Sequence, residues 1–414
     1  MVVQLLVTSV IQSSKLRTLH RYIQKVSSLV FFGVLLIVNI ELSFSQGIVH
    51  DIPEQSIEIR VIKSDSVSRG FFLLPTGYGY LAGGLVFEKG NGQLMLTGLD
   101  YQANLLWSRI HSSLGYDFCY SGTISPDKKF VLSGFSNTNS NGAFDAWIVK
   151  VDEKGEIIWQ TSIGGKKNDR AYEIVGTKKG EYIFVGQTES WGSKGIDGMV
   201  VKIDNSGNPI WRKIIGNEKL DRLYSVVILS NGDLIISGIT NENYPGNSDI
   251  QVIRMTTDGD LLWRKIYGSK KGDIAHSLCR LNNDTFLIIG YTAEYSFPQS
   301  NPMIMHLDGD GNVLGKYIYR TVQDVKLIDG YVTNQGQFIG AGFIRDNLES
   351  DWDVLTLKFD LNKQTFDVFK VRMPNDQEIY DIQPFDSNTS ILIGHTVIDD
   401  NTNHLVMKWK YNIN

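Results

Sequence analysis

One glycine returns along this chain at a fixed interval, and that interval constrains the fold more than any other feature. Gly134, Gly186, Gly238, Gly290, Gly342 and Gly394 stand 52 residues apart, in FVLSGFS, YIFVGQT, LIISGIT, FLIIGYT, QFIGAGF and ILIGHT. Ala82, in GYLAGG, holds the same phase one period earlier, which makes seven units. Further columns keep the period. Asp65, Asp117, Asp169, Asp221 and Asp273 form one. Tyr120, Tyr172, Tyr224 and Tyr380 form another, with His276 in the fifth unit. Trp107, Trp159, Trp211 and Trp263 form a third, and Asp100, Asp152, Asp204, Asp308 and Asp360 a fourth. Self-similarity of this length marks a repeat architecture, in which each unit is one supersecondary element.

Each unit reads as four short strands. In the third, AYEIVGT (171–177), YIFVGQT (182–188), MVVKID (199–204) and PIWRKIIG (209–216) are separated by polar Gly/Asn turns. Alternating, β-branched runs between such turns are strand signals. Four strands per unit, seven times over, predict an all-β chain: a seven-bladed β-propeller of four-stranded antiparallel blades. The units run at about 65–116, 117–168, 169–220, 221–272, 273–324, 325–376 and 377–412. The last stops after its third strand, HLVMKWKY (404–411). The missing outer strand is expected from the N-terminus, at 55–62, so the ring closes and leaves no free sheet edge.

The region before the repeats reads as an address. Lys15, Arg17, Arg21 and Lys25 precede an apolar run from Val26 to Val38, then Ser43-Phe44-Ser45 before Gln46. Small residues three and one before a cut suit a signal peptide over 1–46 and a secreted or periplasmic product. The 14 residues ahead of Lys15 are unusual for a signal and point to a misplaced start codon. The alternative is a membrane anchor. Asn39 and Glu41 leave the apolar run short of the roughly 20 residues a span needs. No membrane span is therefore expected after cleavage. Cys119 and Cys279 fall three blades apart, beyond the ~7 Å Cα limit for a disulfide, and are expected as buried free thiols. The net charge of -5 and the lack of a long Lys/Arg block exclude a nucleic-acid partner.

The Trp column sits in Asp-x-x-Gly-x-x-x-Trp-x-x-x-x-Gly, as in DEKGEIIWQTSIG (152–164) and DNSGNPIWRKIIG (204–216). This motif resembles the tryptophan-docking repeat of pyrroloquinoline-quinone-type propellers. WRKIYGSKKGDIAHSL (263–278) with the FLIIGYT that follows is similar to repeats of secreted bacterial propeller proteins common in Bacteroidetes. The resemblance spans roughly residues 53–412. It implies the fold and a Trp docked on the neighbouring blade. It implies little about activity, since many such proteins have none assigned. Exported members often carry a C-terminal sorting domain, and none is read here. Quinoprotein dehydrogenases are usually eight-bladed, and many hold the cofactor with a vicinal disulfide and calcium. Seven units and no adjacent cysteines leave no cofactor expected. Units five and six carry Gly315 and Asp367 in the Trp column and are expected to pack less tightly.

Candidate site residues lie in the loops. Asp117, Asp169, Asp221 and Asp273 lie where an outer strand returns to the inner strand of the next blade, and Asp145, Asp197, Asp249 and Asp353 lie just before the third strands. Read blandly, these carboxylates cap turns. Read sharply, they ring the channel mouth and hold a cation. Asp308, Asp310 and Asn312 resemble the start of a calcium loop, without the glutamate that would complete it. Loops between second and third strands hold Phe144, Trp191, Tyr244, Tyr295, Phe297 and Trp352, and inter-blade loops add Lys166 and Lys270. Aromatics and lysines on variable loops suit recognition of a protein, peptide or glycan, against the plainer reading of ordinary surface loops. No HExxH, G-x-S-x-G or metal-spaced Cys/His cluster is present. The expectation is a monomeric, non-enzymatic binding or scaffold propeller whose partner is a protein or glycan in or beyond the cell envelope. The alternative is a propeller hydrolase or lyase with carboxylates at the channel mouth. Converging buried carboxylates of raised pKa would favour the enzyme, and a plugged channel or flat face the binder.

Overall fold

The computed structural model describes residues 42–46, 49–51, 56–62, 66–88, 90–138, 140–243, 247–281, 283–295, 299–398 and 401–411. They form seven sheets, each built on four antiparallel strands that are consecutive in sequence in six of them, arranged as the blades of a ring. Blade 3 is typical: Asp169–Gly176 inside, then Tyr182–Thr188 and Asp197–Ile203, with Pro209–Ile215 outermost. Its second and third strands are buried at every residue, because neighbouring blades cover both faces. Its outer strand is exposed or half-buried at every residue. That contrast explains why the middle strands read as unbroken Val/Ile/Phe runs.

The periodic glycine is a close-approach position. A Cβ at Gly186 would lie 1.9 Å from the Arg170 carbonyl oxygen of the inner strand. The pairing also corrects the first unit. Gly84, not Ala82, is the counterpart, since it pairs with Gly70 as Gly186 pairs with Ala171. Blade 1 joins its second and third strands by a tight turn at Glu88–Asn91 instead of a long loop, and this shifts its phase. Asp65 lies outside the described residues.

The tryptophans dock as the motif implies. The ring of Trp159 lies 2.9 Å from where a Cβ on Gly207 of the next blade would sit, and Gly207 has φ 86°. Only glycine meets both demands. Trp107, Trp211 and Trp263 repeat the contact at Gly155, Gly259 and Gly311. Blades 5 and 6 do not pack loosely without it. Tyr317 and Tyr319 of blade 5 reach Phe359 and Phe366 of blade 6, at ring separations of 4.7 and 5.8 Å. Phe369 of blade 6 meets Trp409 of blade 7 at 5.8 Å. The docking aromatic has moved along the outer strand.

The N-terminal segment crosses the rims of these blades. β1 (Leu42–Gln46) adds in parallel to the outer strand of blade 5, and β2 (His50–Asp51) to that of blade 6. β3 (Ile57–Ile62) pairs antiparallel with Asn401–Lys410 and completes blade 7, the expected closure. A cut after Ser45 would leave only Gln46 of β1. Cys119 and Cys279 are free; Cys119 is buried and Cys279 only partly so. No helix among the described residues is long and apolar enough to cross a membrane.

Candidate functional site

The inner strands build the channel, and all seven carry a β-bulge at one register. The bulged residues are Phe71, Tyr120, Tyr172, Tyr224, His276, Ile328 and Tyr380. A bulge leaves its extra residue unpaired and re-aims the side chain. Six of the seven are aromatic, which explains the tyrosine column. Their rings touch in sequence around the channel: Tyr380 to Phe71 at 4.8 Å, Phe71 to Tyr120 at 6.0 Å, Tyr120 to Tyr172 and Tyr172 to Tyr224 at 5.2 Å, and Tyr224 to His276 at 6.0 Å. This collar is the waist of the channel. Burial drives the His276 imidazole down to about 4, so it is neutral.

A cavity of 560 Å³ begins at the collar and follows the inner strands away from their first residues. Glu173, Asp329 and Asp381 line it together, among Ser121, Ser225 and Ser277. Burial raises all three carboxyls, Glu173 to about 7, and the Asp329–Asp381 contact raises Asp381 further. Each sits one residue past a bulge, and each staples the next blade. Glu173 Oε2 accepts from the Val226 backbone N–H at 2.6 Å. Asp329 Oδ2 accepts from Ile382 at 3.4 Å, and Asp381 Oδ2 from Leu73 at 2.6 Å. Ser225 Oγ accepts from Leu278 at 3.0 Å in the same way. The belt thus satisfies backbone donors that the bulges strand. Glu173, Asp329 and Asp381 lie four residues after the aspartate column, a spacing visible in the sequence but not singled out.

The residues nominated from the sequence spread over the opposite, loop-bearing face. Asp117, Asp169, Asp221 and Asp273 are buried in the corners between blades. Asp169 accepts from the Gly165 N–H at 2.9 Å, from Ser190 Oγ at 2.6 Å and from Thr188 Oγ1. Asp117 accepts from Ser136 and Thr138, Asp221 from Asn217 and Arg264, and Asp273 from Ser269. They cap corners and do not line the cavity. Asp308 Oδ1 accepts from the N–H groups of Asp310 and Asn312 at 2.9 and 2.8 Å, as Asp204 does in its turn. Arg254 pairs with Asp310, and Lys265 Nζ donates to the Asp310 carbonyl at 2.6 Å. Two cations of the chain itself thus stand where a metal would compete for the Asp310 oxygens. No cluster of three or more His, Cys, Asp or Glu among the described residues could hold a metal.

The loop aromatics are covered by cations. Arg212 lies 3.5 Å from the Trp191 ring centroid, Arg320 3.8 Å from Tyr295, and Arg345 4.2 Å from Trp352. Lys166 and Lys270 are exposed in different inter-blade loops, and the fold does not bring them together. Tyr244 and Phe297 lie outside the described residues.

A row one step past the aspartates is not marked by any chemical motif in the sequence. Each inner strand pairs one residue with the position just after the periodic glycine. Around the ring these are Arg69, Phe118, Arg170, Arg222, Ile274, Lys326 and Glu378. They stand above the collar, at the loop-face mouth. Arg170 lies 4.8 Å from the Phe135 centroid, and Lys326 4.8 Å from Trp352. Six of the seven, Phe118 to Glu378, keep the 52-residue spacing; Arg69 is hidden by the phase shift of blade 1.

No protein-family model and no curated protein matches the chain. Solved structures do. Hydrazine synthase of Kuenenia stuttgartiensis matches with TM-score 0.53 at 10% identity, over 83% of this chain and 96% of that one. A fungal alcohol oxidase of the AA5 family, in complex with copper, matches with TM-score 0.54 at 13% identity, over 86% and 76%. An acylaminoacyl peptidase of Pyrococcus horikoshii matches with TM-score 0.50 at 11% identity, over 84% of this chain and 53% of that one. At such identities the likeness concerns architecture alone, and what it establishes is that the chain is a seven-bladed β-propeller.

Proposed function

We propose that this chain is an exported, non-enzymatic binding propeller of the cell envelope, related to tryptophan-docking propellers, and that its partner is a protein, peptide or glycan met by the loop face. One observation carries the reading. The mouth above the collar presents half-buried cations and aromatics with no carboxylate partner, while the carboxylates below it are tied to backbone N–H groups. Side chains left unsatisfied on a rigid scaffold favour recognition. The basic n-region and apolar run support export. Immobilised protein should retain a specific partner from envelope extracts or on a glycan array. An Arg170→Ala/Arg222→Ala variant should retain less of it. Failure of the unmodified chain to retain anything would overturn the reading.

A second reading, a hydrolase or lyase, rests on Glu173, Asp329 and Asp381 converging on one cavity with raised pKa. Hydrolysis of a polysaccharide panel that Glu173→Gln abolishes, without loss of fold, would establish it in place of the first.

A further inference from the structure

We infer that Arg69, Arg170, Arg222 and Lys326 form a binding site for a compact anion, a carboxylate or a phosphate or sulfate ester, in the loop-face mouth of the channel. The inference rests on the loop face being the recognition face and gives that face a ligand chemistry. Three observations lead to it.

The first is register. The four cations occupy one structural position on four different blades, so the ring symmetry sets them around one axis. The same position carries a single acid, Glu378, whose carboxylate already accepts the Tyr380 hydroxyl.

The second is the absence of acidic partners, Arg222 meeting the Tyr224 hydroxyl instead. Elsewhere this chain pairs its half-buried arginines: Arg254 with Asp233 at 2.7 Å, Arg264 with Asp221 at 3.2 Å, Arg345 with Asp324 at 2.8 Å. Among the described residues, Arg69, Arg170, Arg222 and Lys326 form no ion pair. The Nε groups of Arg69, Arg170 and Arg222 are buried without an acceptor. A partly desolvated guanidinium without a counter-charge is unfavourable, and the planar fork is the donor geometry that matches carboxylate, phosphate and sulfate oxygens. The chain as a whole carries a net charge of -5, so this concentration of cations opposes its average.

The third is shape. The collar forms a floor beneath the row, which limits the anion to a compact group. The Arg170 guanidinium lies over the Phe135 and Phe144 rings, and the Lys326 ammonium over Tyr291, Phe343 and Trp352. These contacts fix the side chains before a ligand arrives. On blade 2 the row is Phe118, packed with Phe71 and Tyr120, so an apolar wall faces the cations. An anionic group borne on an apolar body fits this division.

The test is calorimetric titration of the full chain with citrate, inorganic phosphate and inorganic sulfate at low salt. At least one should show a single saturable site. The Arg170→Ala/Arg222→Ala variant should weaken it about tenfold or more, as loss of charged hydrogen bonds does. Lys166→Ala/Lys270→Ala, on the same face but off the axis, should leave it unchanged. If the alanine variant fails to fold, Arg170→Lys/Arg222→Lys keeps the charge without the fork and should still weaken binding. No saturable site for any of the three anions overturns the inference, as does equal binding by the folded arginine variants. A chain that retains an envelope partner yet binds no anion would overturn this inference alone and leave the binding function standing.

Discussion

At the scale of single residues, the period is set by steric and hydrogen-bonding demands that only a few side chains meet. Gly186 is the clearest case, because a methyl group there would enter the Arg170 carbonyl. Gly186→Ala should destabilise the folded chain by about 3 kcal/mol, the upper range for overpacking. An unchanged urea midpoint would contradict it. By contrast the Asp and Tyr columns were legible as columns but not in their roles. From spacing alone the aspartates allow two roles, turn caps or a ring at the channel mouth. The pairing shows that they end loops, and that the next residue, not they, reaches the channel mouth. A period places residues in phase, but it does not say which side of a strand faces the axis until the bulge is known. The tyrosines occupy the bulge itself. Nothing in the one-dimensional pattern marks a bulge, because its extra residue is repeated in every unit and so leaves the period intact.

At the scale of elements, the outer strands decide how blades cohere. The four tryptophans stop where β1 and β2 begin to cross the rim, at blades 5 and 6. The sequence displayed the missing tryptophans and also their replacement, since Tyr317 and Phe369 each lie two residues past the lost position and keep the 52-residue spacing, whereas Tyr319 falls outside that column. Trp211→Ala should cost about 3 kcal/mol, because the ring packs against Gly259 and joins the core shared by blades 3 and 4. Thermal melting is the check, and a loss no greater than that of an exposed outer-strand residue would refute docking. The closing strand is more demanding. β3 supplies the whole outer edge of blade 7 and covers Met407 and Trp409. A chain beginning after residue 62 should lose several kcal/mol and expose an unpaired strand edge, with aggregation on warming. Equal melting temperatures for the two chains would show that the ring closes by other means.

At the scale of the molecule, the collar divides one channel into ends of opposite character: cations above, carboxyls below. The lower end makes a prediction about the whole ring, because Glu173 ties blade 3 to blade 4, while Asp329 and Asp381 tie blades 5, 6, 7 and 1 to one another. Burial raises each of their pKa values, and Glu173 moves from 4.5 to about 7. A folded-state pKa above the unfolded one means that the native ring holds protons the unfolded chain releases. The resulting stability is complete below the unfolded value and is lost as pH rises through the folded value. For Glu173 the window runs from about 4.5 to about 7, and the loss is at most about 3 kcal/mol. The turn aspartates work the other way: Asp204 and Asp308 are lowered by hydrogen bonds within their turns. Their contribution is lost only in more acidic solution, below the Glu173 window. Urea unfolding across that window should therefore show stability falling toward neutral pH. Glu173→Gln keeps an acceptor for the Val226 N–H while removing the titration, so it should flatten the slope without shifting the acid limb. If the variant reproduces the unmodified slope, Glu173 is not the buried acid that sets it, and the belt would have to be held by Asp329 and Asp381 alone.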